Sequence, residues 1–375
     1  MEKDFGQVLS LTKKGAKLFQ VEEDKFSSWR WQLKNQVQTL ADAERIIKIF
    51  PAESAGFTQL DSLFHAGVTP YYMSLMQDKE DCPIRLQALP NVHEKFDLAG
   101  VKDPLSEVPH SPVPEVVHVY PDRVAFCVAL LCPVYCRYCF RKRRDEQEGL
   151  HFNRLIIERG LEYIKSQKAI RDVLITGGDP FLASDESLVQ LVARIREIPH
   201  VEIIRFGTRT PVTLPYRVTA ELAKKLQPYH PIWVNTHFNC VEEITPEAKE
   251  AIANLVDHGF PVGNQAVLLK GVNDSEAKML SLCQALLKIR VRPYYVFHAH
   301  QVAGSQHLRV SLDRGLQIMK SLRGNLTGFG IPVFAVDTPS GKIPLEYNYS
   351  LKREDGDLLL EDIRGEIWRE KNAFF

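Results

Sequence analysis

The sequence predicts an α/β protein whose parallel strands curve into a full or partial barrel of about six strand–helix repeats. Two observations lead to this fold class. Short runs of β-branched and aromatic residues recur between residues 120 and 337, and segments with helical periodicity separate most of them. The 375-residue chain, with 45% hydrophobic residues, is also long enough to bury the core of such a barrel.

Seven segments are predicted as strands: Val124–Leu130, Asp172–Thr176, Val201–Phe206, Ile232–Thr236, Val262–Leu269, Arg292–His298 and Pro332–Val336. Three helices between them are marked by apolar stripes: Leu188, Leu191, Val192 and Ile195; then Ala248, Ile252, Leu255 and Val256 before a terminating Gly259; then Met279, Leu282, Leu286 and Ile289 behind Asp274 or Ser275 as N-cap. Functional residues are expected at the C-terminal ends of the strands, as in other barrels.

The chain is predicted to have three parts. Residues 1–115 form a helical N-terminal extension, residues 116–337 the barrel, and residues 338–375 a C-terminal segment that packs back onto it. In the extension, an amphipathic helix is predicted over residues 40–50 and ends before Pro51. Prolines at 104, 109, 112, 114 and 121 mark a linker, and no regular element is expected to cross it.

The charge balance limits the possible partners. Lysine and arginine total 47, and aspartate and glutamate also total 47, so neither nucleic acid nor an anionic membrane is expected as a partner. The longest apolar stretch, residues 124–135, is shorter than the ~20 residues that cross a bilayer. The charged N-terminus lacks a secretory signal. A cytoplasmic location, with the seven cysteines reduced, is therefore expected.

Three of these cysteines crowd into eight positions just after the first predicted strand. Cys132, Cys136 and Cys139 have the spacing C-x3-C-x2-C. Three thiolates on a short loop can bind three irons of a cubane cluster and leave the fourth iron open. Two alternatives are three buried reduced cysteines, or a zinc site completed by a distant ligand.

Three other segments are ambiguous by themselves. Gly177-Gly178-Asp179-Pro180 follows the second predicted strand, where it is either a tight connection or a place where backbone approaches a ligand. The basic run 141–144 follows Cys139, and it is either a solvated face or a source of an arginine for a carboxylate. Lys342 lies in a Gly/Pro-rich turn, where a lysine is usually exposed and without function.

The cysteine spacing resembles that of radical S-adenosylmethionine enzymes, and the whole chain from about residue 25 resembles the lysine 2,3-aminomutase family. The resemblance rests on ordered motifs: Trp29-Arg30-Trp31-Gln32, Thr69-Pro70-Tyr71-Tyr72, Ser111-Pro112-Val113-Pro114, Tyr120-Pro121-Asp122-Arg123, Cys132 to Arg141, Ile198-Pro199-His200-Val201-Glu202, Arg209-Thr210-Pro211, Asn235-Thr236-His237-Phe238-Asn239, Gly263-Asn264-Gln265, Gly271-Val272-Asn273-Asp274, Arg292-Pro293-Tyr294-Tyr295 and Gly341-Lys342-x-Pro344.

This resemblance implies a partial (β/α)6 radical S-adenosylmethionine barrel and three cofactors: a 4Fe–4S cluster, S-adenosylmethionine and pyridoxal phosphate. It implies an isomerase that moves an α-amino group to the β-carbon, with an amino acid as substrate and an external electron donor. In residue terms, Cys132, Cys136 and Cys139 would bind the cluster, and Lys342 would bind pyridoxal phosphate.

The same resemblance assigns the remaining candidate residues. Arg141 would bind the substrate carboxylate, and Asp337 would be one of two acids for its distal ammonium. The other cofactor contacts would be Tyr138 at the adenine, the motif Gly177, Gly178 and Asp179 at the methionine amino group, and Tyr120, Arg123 and Gln265 around pyridoxal phosphate.

Three positions depart from the family. His300 stands where the second acid is expected, and because histidine pairs poorly with an ammonium it puts lysine specificity in question. Val119 replaces an arginine near pyridoxal phosphate. Ser275 replaces a zinc cysteine, and no cysteine follows Cys283, so a homo-oligomer without an intersubunit zinc is expected.

Several hypotheses about the function therefore remain open. The protein is an aminomutase for lysine, or it is one for another amino acid such as glutamate or arginine. A cluster protein that cleaves S-adenosylmethionine in other chemistry, or without turnover, is a further alternative, and a structural zinc protein is the weakest.

Overall fold

A computed structural model describes residues 10–59, 64–146, 152–354 and 357–371. Its central feature is a nine-stranded sheet that runs in chain order from β1 to β9. The strands are β1 (Val116–Tyr120), β2 (Arg123–Ala129), β3 (Asp172–Gly177), β4 (Ile203–Gly207), β5 (Ile232–Thr236), β6 (Val262–Leu268), β7 (Arg292–His298), β8 (Val333–Thr338) and β9 (Gly341–Leu345). Strands β2 to β8 are all parallel, so the predicted α/β barrel is confirmed.

Six crossovers join the parallel strands, in agreement with a partial (β/α)6 barrel. Their helices are α8 (Arg154–Ser166), α9 (Asp185–Arg196), α10 (Thr210–Thr213), α11 (Ala220–Leu226), α12 (Pro246–Val256), α13 (Glu276–Lys288) and α14 (Leu312–Leu322). The predicted stripes of α9, α12 and α13 face the core. Ser275 caps α13, because its side chain accepts a hydrogen bond from the amide of Lys278 at 3.3 Å.

The alternation along each strand separates the core from the lumen. Phe126, Val128, Val173 and Ile204 are fully buried and belong to the hydrophobic core. The intervening side chains, among them Ala125, Leu174, Thr176 and Arg205, line the cavity inside the barrel. The lumen of the barrel is therefore where a site can form.

The N-terminal extension contains short helices that pack beside the barrel. They are α1 (Leu11–Leu18), α2 (Glu23–Phe26), α3 (Trp29–Lys34), α4 (Leu40–Glu44), α5 (Pro51–Gln59), α6 (Pro70–Ser74) and α7 (Pro83–Ala88). No helix in the described ranges has the length and apolar content needed to cross a membrane.

The helix predicted over residues 40–50 is wrong in its second half, since α4 ends at Glu44. Tertiary contacts explain the early end. The Lys48 carbonyl accepts a hydrogen bond from Arg85 at 2.7 Å, and the amide of Phe50 donates to Glu53 at 3.0 Å. In a helix over residues 40–50, the Phe50 amide would instead donate to the carbonyl of residue 46, whereas the Lys48 carbonyl would be one of the last four, which have no partner within the helix.

The expectation that no regular element crosses the linker is also wrong. β1 lies between Pro114 and Pro121 and pairs antiparallel with β2, with Tyr120 opposite Arg123. Pro121 occupies the turn between the two strands and not a ladder position, so it does not prevent the pairing.

Beyond β8 the chain returns antiparallel as β9, which places Lys342 opposite Asp337. A separate three-stranded sheet follows, made of β10 (Ser350–Glu354), β11 (Asp357–Glu361) and β12 (Ile367–Glu370). The proposed division at residues 115 and 337 stays a prediction.

Candidate active site

A cavity of about 680 Å³ occupies the barrel lumen, and all the site residues predicted from the sequence line it. These residues are Tyr120, Arg123, Cys132, Cys136, Tyr138, Cys139, Arg141, Gly177, Gly178, Asp179, Gln265, His300, Asp337 and Lys342. The structure therefore brings together residues that are up to 222 positions apart in the chain. Their individual chemical roles stay predictions.

The three cysteines lie on the loop after β2, and no disulfide joins them. The N-terminal extension holds this loop from the outside. Val68 and Val134 form an isolated antiparallel bridge, and the Tyr135 amide donates to the Gly67 carbonyl at 2.9 Å. Gln36 Nε2 donates to the Cys132 carbonyl at 2.8 Å. The backbone around the cysteines is thus fixed by partners far away in sequence.

Arg137, between the second and third cysteines, is the strongest of these anchors. Its side chain is fully buried, and its Nε and Nη2 donate to the two oxygens of Glu94 at 2.8 and 2.7 Å. Its amide donates to the Gln87 carbonyl at 2.9 Å. A bidentate pair of this kind fixes the orientation of a guanidinium as well as its position.

The donor set fits a cubane cluster. In the described part of the chain, no three His, Cys, Asp or Glu side chains converge as ligands of one metal ion. Around a cubane each thiolate binds a different iron, so the three thiols need not converge on one point. Burial, followed by the neighbouring Cys136, raises the pKa of Cys139 to about 11, so metal binding there must release a proton.

The two glycines after β3 are required by a close backbone crossing. Gly177 has φ +127°, and a Cβ on it would overlap the Ala129 carbonyl oxygen. A Cβ on Gly178 would lie 2.5 Å from the backbone of Leu130 and Leu131. These glycines therefore let the end of β3 pack against the segment that leads into the cysteine loop.

The Asp179 carboxylate forms hydrogen bonds within the protein. Its carboxylate accepts hydrogen bonds from the Thr208 hydroxyl at 2.6 Å, the Arg209 amide at 2.8 Å and the Phe181 amide at 3.1 Å. Burial raises the pKa of Asp179, and these hydrogen bonds oppose the increase. The side chain fixes the turns after β3 and β4 on the cavity wall.

Arg141 reaches the cavity and is already paired. Its Nε and Nη2 both donate to Glu107 Oε1, at 2.9 and 2.8 Å, whereas its Nη1 has only a long contact of 3.5 Å with the Thr176 hydroxyl. Burial would raise the pKa of Glu107, but Arg141 and its arginine neighbours outweigh burial and hold that pKa below its ordinary value. A ligand carboxylate would therefore meet Arg141 through Nη1.

Lys342 lies next to Asp337 on the cavity wall, and Asp337 in turn contacts His300. Its Nζ lies 3.0 Å from Asp337 Oδ1, and His300 Nε2 lies 3.2 Å from Asp337 Oδ2. Burial would raise the pKa of Asp337, but the hydrogen bond from His300 and the charge of Lys342 hold it below its ordinary value. The His300 ring also packs on Phe140, with 4.6 Å between centroids.

Tyr120, on β1, connects the first strand of the sheet to the last strand, β9. Its hydroxyl accepts a hydrogen bond from the Lys342 amide at 2.7 Å. Gly341, at φ +124°, permits this approach, since a Cβ there would lie 2.8 Å from the hydroxyl. The Arg123 guanidinium stacks 3.7 Å above the centre of the Tyr120 ring. Lys342 is thus close to a cation that suits a phosphate group.

Comparison with known proteins identifies the family to which this chain belongs. Residues 128–283 match the Radical SAM superfamily. The chain is 43% identical over 354 residues to L-lysine 2,3-aminomutase of Bacillus subtilis, covering 92% of this chain and 74% of the relative. It is 41% identical over 351 residues to L-lysine 2,3-aminomutase of Clostridium subterminale, covering 92% and 84%. The chain belongs to the lysine 2,3-aminomutase family. It is therefore a radical S-adenosylmethionine aminomutase, an isomerase.

The family also includes a relative with a different name. The chain is 39% identical over 348 residues to glutamate 2,3-aminomutase of Clostridioides difficile, covering 92% of this chain and 82% of that protein. Membership in the lysine 2,3-aminomutase family therefore does not by itself identify the amino acid.

Several cavity residues of this aminomutase were not among the predicted site residues. Arg209 donates to Cys136 Sγ at 2.7 Å, and Glu107 neutralises Arg141. His237 has a buried Nε2 without a hydrogen-bond partner, and burial, followed by Arg209, lowers its pKa to about 3. Arg209 and His237 lie in motifs that carried the resemblance, whereas nothing local in the sequence marks Glu107.

Proposed function

We propose that this aminomutase moves the α-amino group of a free α-amino acid to its β-carbon, using a 4Fe–4S cluster, S-adenosylmethionine and pyridoxal phosphate. One observation carries the proposal: the three thiols of the cysteine loop and the amine of Lys342 line the same cavity. The names of the relatives, which are L-lysine and glutamate 2,3-aminomutases, support it.

When bound, these groups supply a carbon-centred radical that takes hydrogen from the substrate and a carbonyl that holds its migrating nitrogen. The chain supplies their binding and orientation. Cys132, Cys136 and Cys139 bind the cluster through their thiolates, with Tyr138 beside them and Gly177, Gly178 and Asp179 forming the adjacent wall. Lys342 binds pyridoxal phosphate through its amine, close to Tyr120, Arg123 and Gln265.

Arg141 binds the substrate carboxylate. Since Glu107 already takes two of its donors, the carboxylate is bound through Nη1, on the side of Thr176. Glu107 also fixes the plane of the guanidinium, which in turn fixes the direction from which the carboxylate approaches. The substrate α-carbon is thereby held between the cysteine loop and Lys342, in a lumen that shelters a radical from water.

The distal end of the substrate meets His300 and Asp337. A lysine ammonium would have to share a single carboxylate with His300 and Lys342, both of which already contact it. We therefore propose that lysine is bound weakly, and that substrates ending in a carboxylate or a neutral hydrogen-bonding group compete with it.

A substrate assay tests the reaction. The reconstituted protein would be incubated anaerobically with S-adenosylmethionine, pyridoxal phosphate, a chemical reductant and lysine, glutamate, arginine, glutamine or alanine. Mass spectrometry with authentic standards would then detect each β-isomer. Cleavage of S-adenosylmethionine without any β-isomer would favour the alternative of different radical chemistry, and lysine as the sole good substrate would contradict the role given to His300.

A spectroscopic assay tests Lys342 separately. Wild-type protein mixed with pyridoxal phosphate should show a visible imine absorption band, and Lys342→Ala should lose it. Lys320→Ala is the control, since Lys320 pairs with Glu361 outside the cavity. An unchanged band in Lys342→Ala would contradict the assignment.

We further propose a homo-oligomer in the cytoplasm that takes electrons from an external donor. The described surface includes exposed Phe96, Leu98 and Val108, at 64%, 96% and 65% exposure, which suit burial between copies. Size-exclusion chromatography with light scattering would measure the oligomeric state.

A further inference from the structure

Arg209 is a cavity residue whose side chain directly contacts the cysteine loop. It follows β4, and its Nη1 donates to Cys136 Sγ at 2.7 Å. The guanidinium is 9% exposed, so little water competes for this contact. It also lies 5.7 Å from the centre of the Tyr138 ring, beside the same loop.

The rest of the guanidinium is fixed by buried partners. Nη2 donates to Glu243 Oε1 at 2.7 Å and to Gln87 Oε1 at 2.6 Å, and Nε donates to the His237 carbonyl at 3.2 Å. Glu243 and Gln87 are both fully buried. With Nη2 and Nε held in this way, the planar guanidinium directs Nη1 at the sulfur.

We propose that Arg209 tunes the electron affinity of the cluster by donating a hydrogen bond to the sulfur of Cys136. This inference rests on the proposed function, because it requires the cluster to be bound by Cys132, Cys136 and Cys139. A cluster gains one negative charge when it accepts an electron from the external donor. A cation and an N–H donor at a ligand sulfur stabilise that extra charge, so they raise the reduction potential.

Arg209 is thus a positioning residue that acts through Cys136. Glu243 sets how much of its charge reaches the cluster, since the carboxylate partly neutralises the guanidinium on the side away from the sulfur. The N–H donor, in contrast, acts at short range and depends on the direction of Nη1. Replacing the planar fork by an ammonium should therefore lower the potential even though the positive charge is kept.

The test compares the midpoint potential of reconstituted wild-type, Arg209→Lys and Arg209→Gln proteins, with electron paramagnetic resonance as the readout. Iron content is measured on the same samples. Both variants should shift the potential to more negative values, and Arg209→Gln should shift it further. Arg85→Lys is the matched control, because Arg85 is also buried and is bidentate with Glu53, and its described hydrogen bonds go to oxygen atoms and not to a cysteine sulfur. Variants that hold full iron with an unchanged potential would overturn the proposal.

A measurement on the wild type covers the case in which the Arg209 variants do not fold. Protein labelled with ¹⁵N only in the guanidinium nitrogens of arginine should show a nitrogen hyperfine coupling to the reduced cluster, and its absence would overturn the inference. Failure of the proposed function looks different, since wild-type protein would then bind no iron at the three cysteines. A loaded wild type without the coupling contradicts only the role of Arg209.

Discussion

Replacing His300 by aspartate tests how the distal pocket selects its substrate. In the structure His300 and Asp337 have side chains only 7% and 11% exposed, and they lie 3.2 Å apart. An aspartate at position 300 would turn this pair into two carboxylates that face the end of the substrate. A lysine ammonium could then donate to both carboxylates, and it would share Asp337 with Lys342 alone.

The expected change in kcat/KM follows from the hydrogen bond that the new aspartate adds to the substrate ammonium. A hydrogen bond between charged groups contributes about 1.5–3 kcal/mol, which corresponds to roughly 10- to 100-fold in affinity. Two carboxylates at this distance repel each other in the free protein, and the ammonium relieves that repulsion when it binds. The cost of burying the second carboxylate reduces this gain in affinity for lysine. We therefore expect kcat/KM for lysine to rise about tenfold and kcat/KM for glutamate to fall.

The assay measures kcat/KM for both amino acids under anaerobic conditions, with the β-isomers quantified by mass spectrometry. His200→Asp is the control, because His200 bonds to the Ile164 carbonyl on the outside of the barrel. The prediction concerns His300→Asp protein whose iron content and melting temperature match those of the wild type. An unchanged or lower kcat/KM for lysine in such protein would refute this account of the pocket.

Three further substitutions test the contacts that stabilise the protein around the site. Glu94→Gln leaves the buried Arg137 without its counter-charge, so it should cost about 3–5 kcal/mol of unfolding free energy and reduce iron content, whereas loss of the solvent-exposed ion pair between Glu158 and Arg194 should have little effect. Denaturant titration and iron analysis of Glu94→Gln and Glu158→Gln measure the difference. Gly178→Ala forces a Cβ to 2.5 Å from backbone, so a loss of about 1–3 kcal/mol and a lower melting temperature are expected, and an unchanged melting temperature would contradict the crossing. Burial lowers the pKa of Lys142 to about 8 in the folded protein, whereas an unfolded lysine has a pKa of about 10.4. Between these two pH values the folded state therefore binds fewer protons than the unfolded chain. Wild-type stability should therefore rise with pH across this window relative to Lys142→Met, and parallel pH profiles in chemical denaturation would contradict the assignment.

The sequence predicts the parts of the molecule that depend on local patterns. Strand–helix alternation predicts β2 to β8, and the spacing of Cys132, Cys136 and Cys139 predicts a loop that lines the lumen. Each of these signals lies within a few residues of the feature that it describes. The hydrophobic periodicity also gives the correct buried faces of α9, α12 and α13.

The features that the sequence does not predict depend on distant partners. The segment after α4 is not helical, and there the Lys48 carbonyl accepts a hydrogen bond from Arg85, 37 residues away in the chain. Glu107 lies 34 residues before Arg141 in the chain, so the pairing of the two side chains depends on how the linker between them folds. β9 pairs with β8 through a turn where the sequence predicted only a tail. The contact of Lys342 with Tyr120, 222 residues away, follows from this pairing and not from the residues around Lys342.

The contacts of the cysteine loop bear on what the N-terminal extension does. The barrel supplies β2 and the glycine crossing on one side of this loop, but Gln36, Gly67, Gln87 and Glu94 hold its other side. If Cys132, Cys136 and Cys139 bind the cluster as proposed, holding them in place before the metal binds reduces the free-energy cost of rearrangement on loading. Barrel strands alone would not supply the contacts from Gln36, Gly67, Gln87 and Glu94. In the proposed function the extension is therefore part of the active site, since it orders the three cysteines.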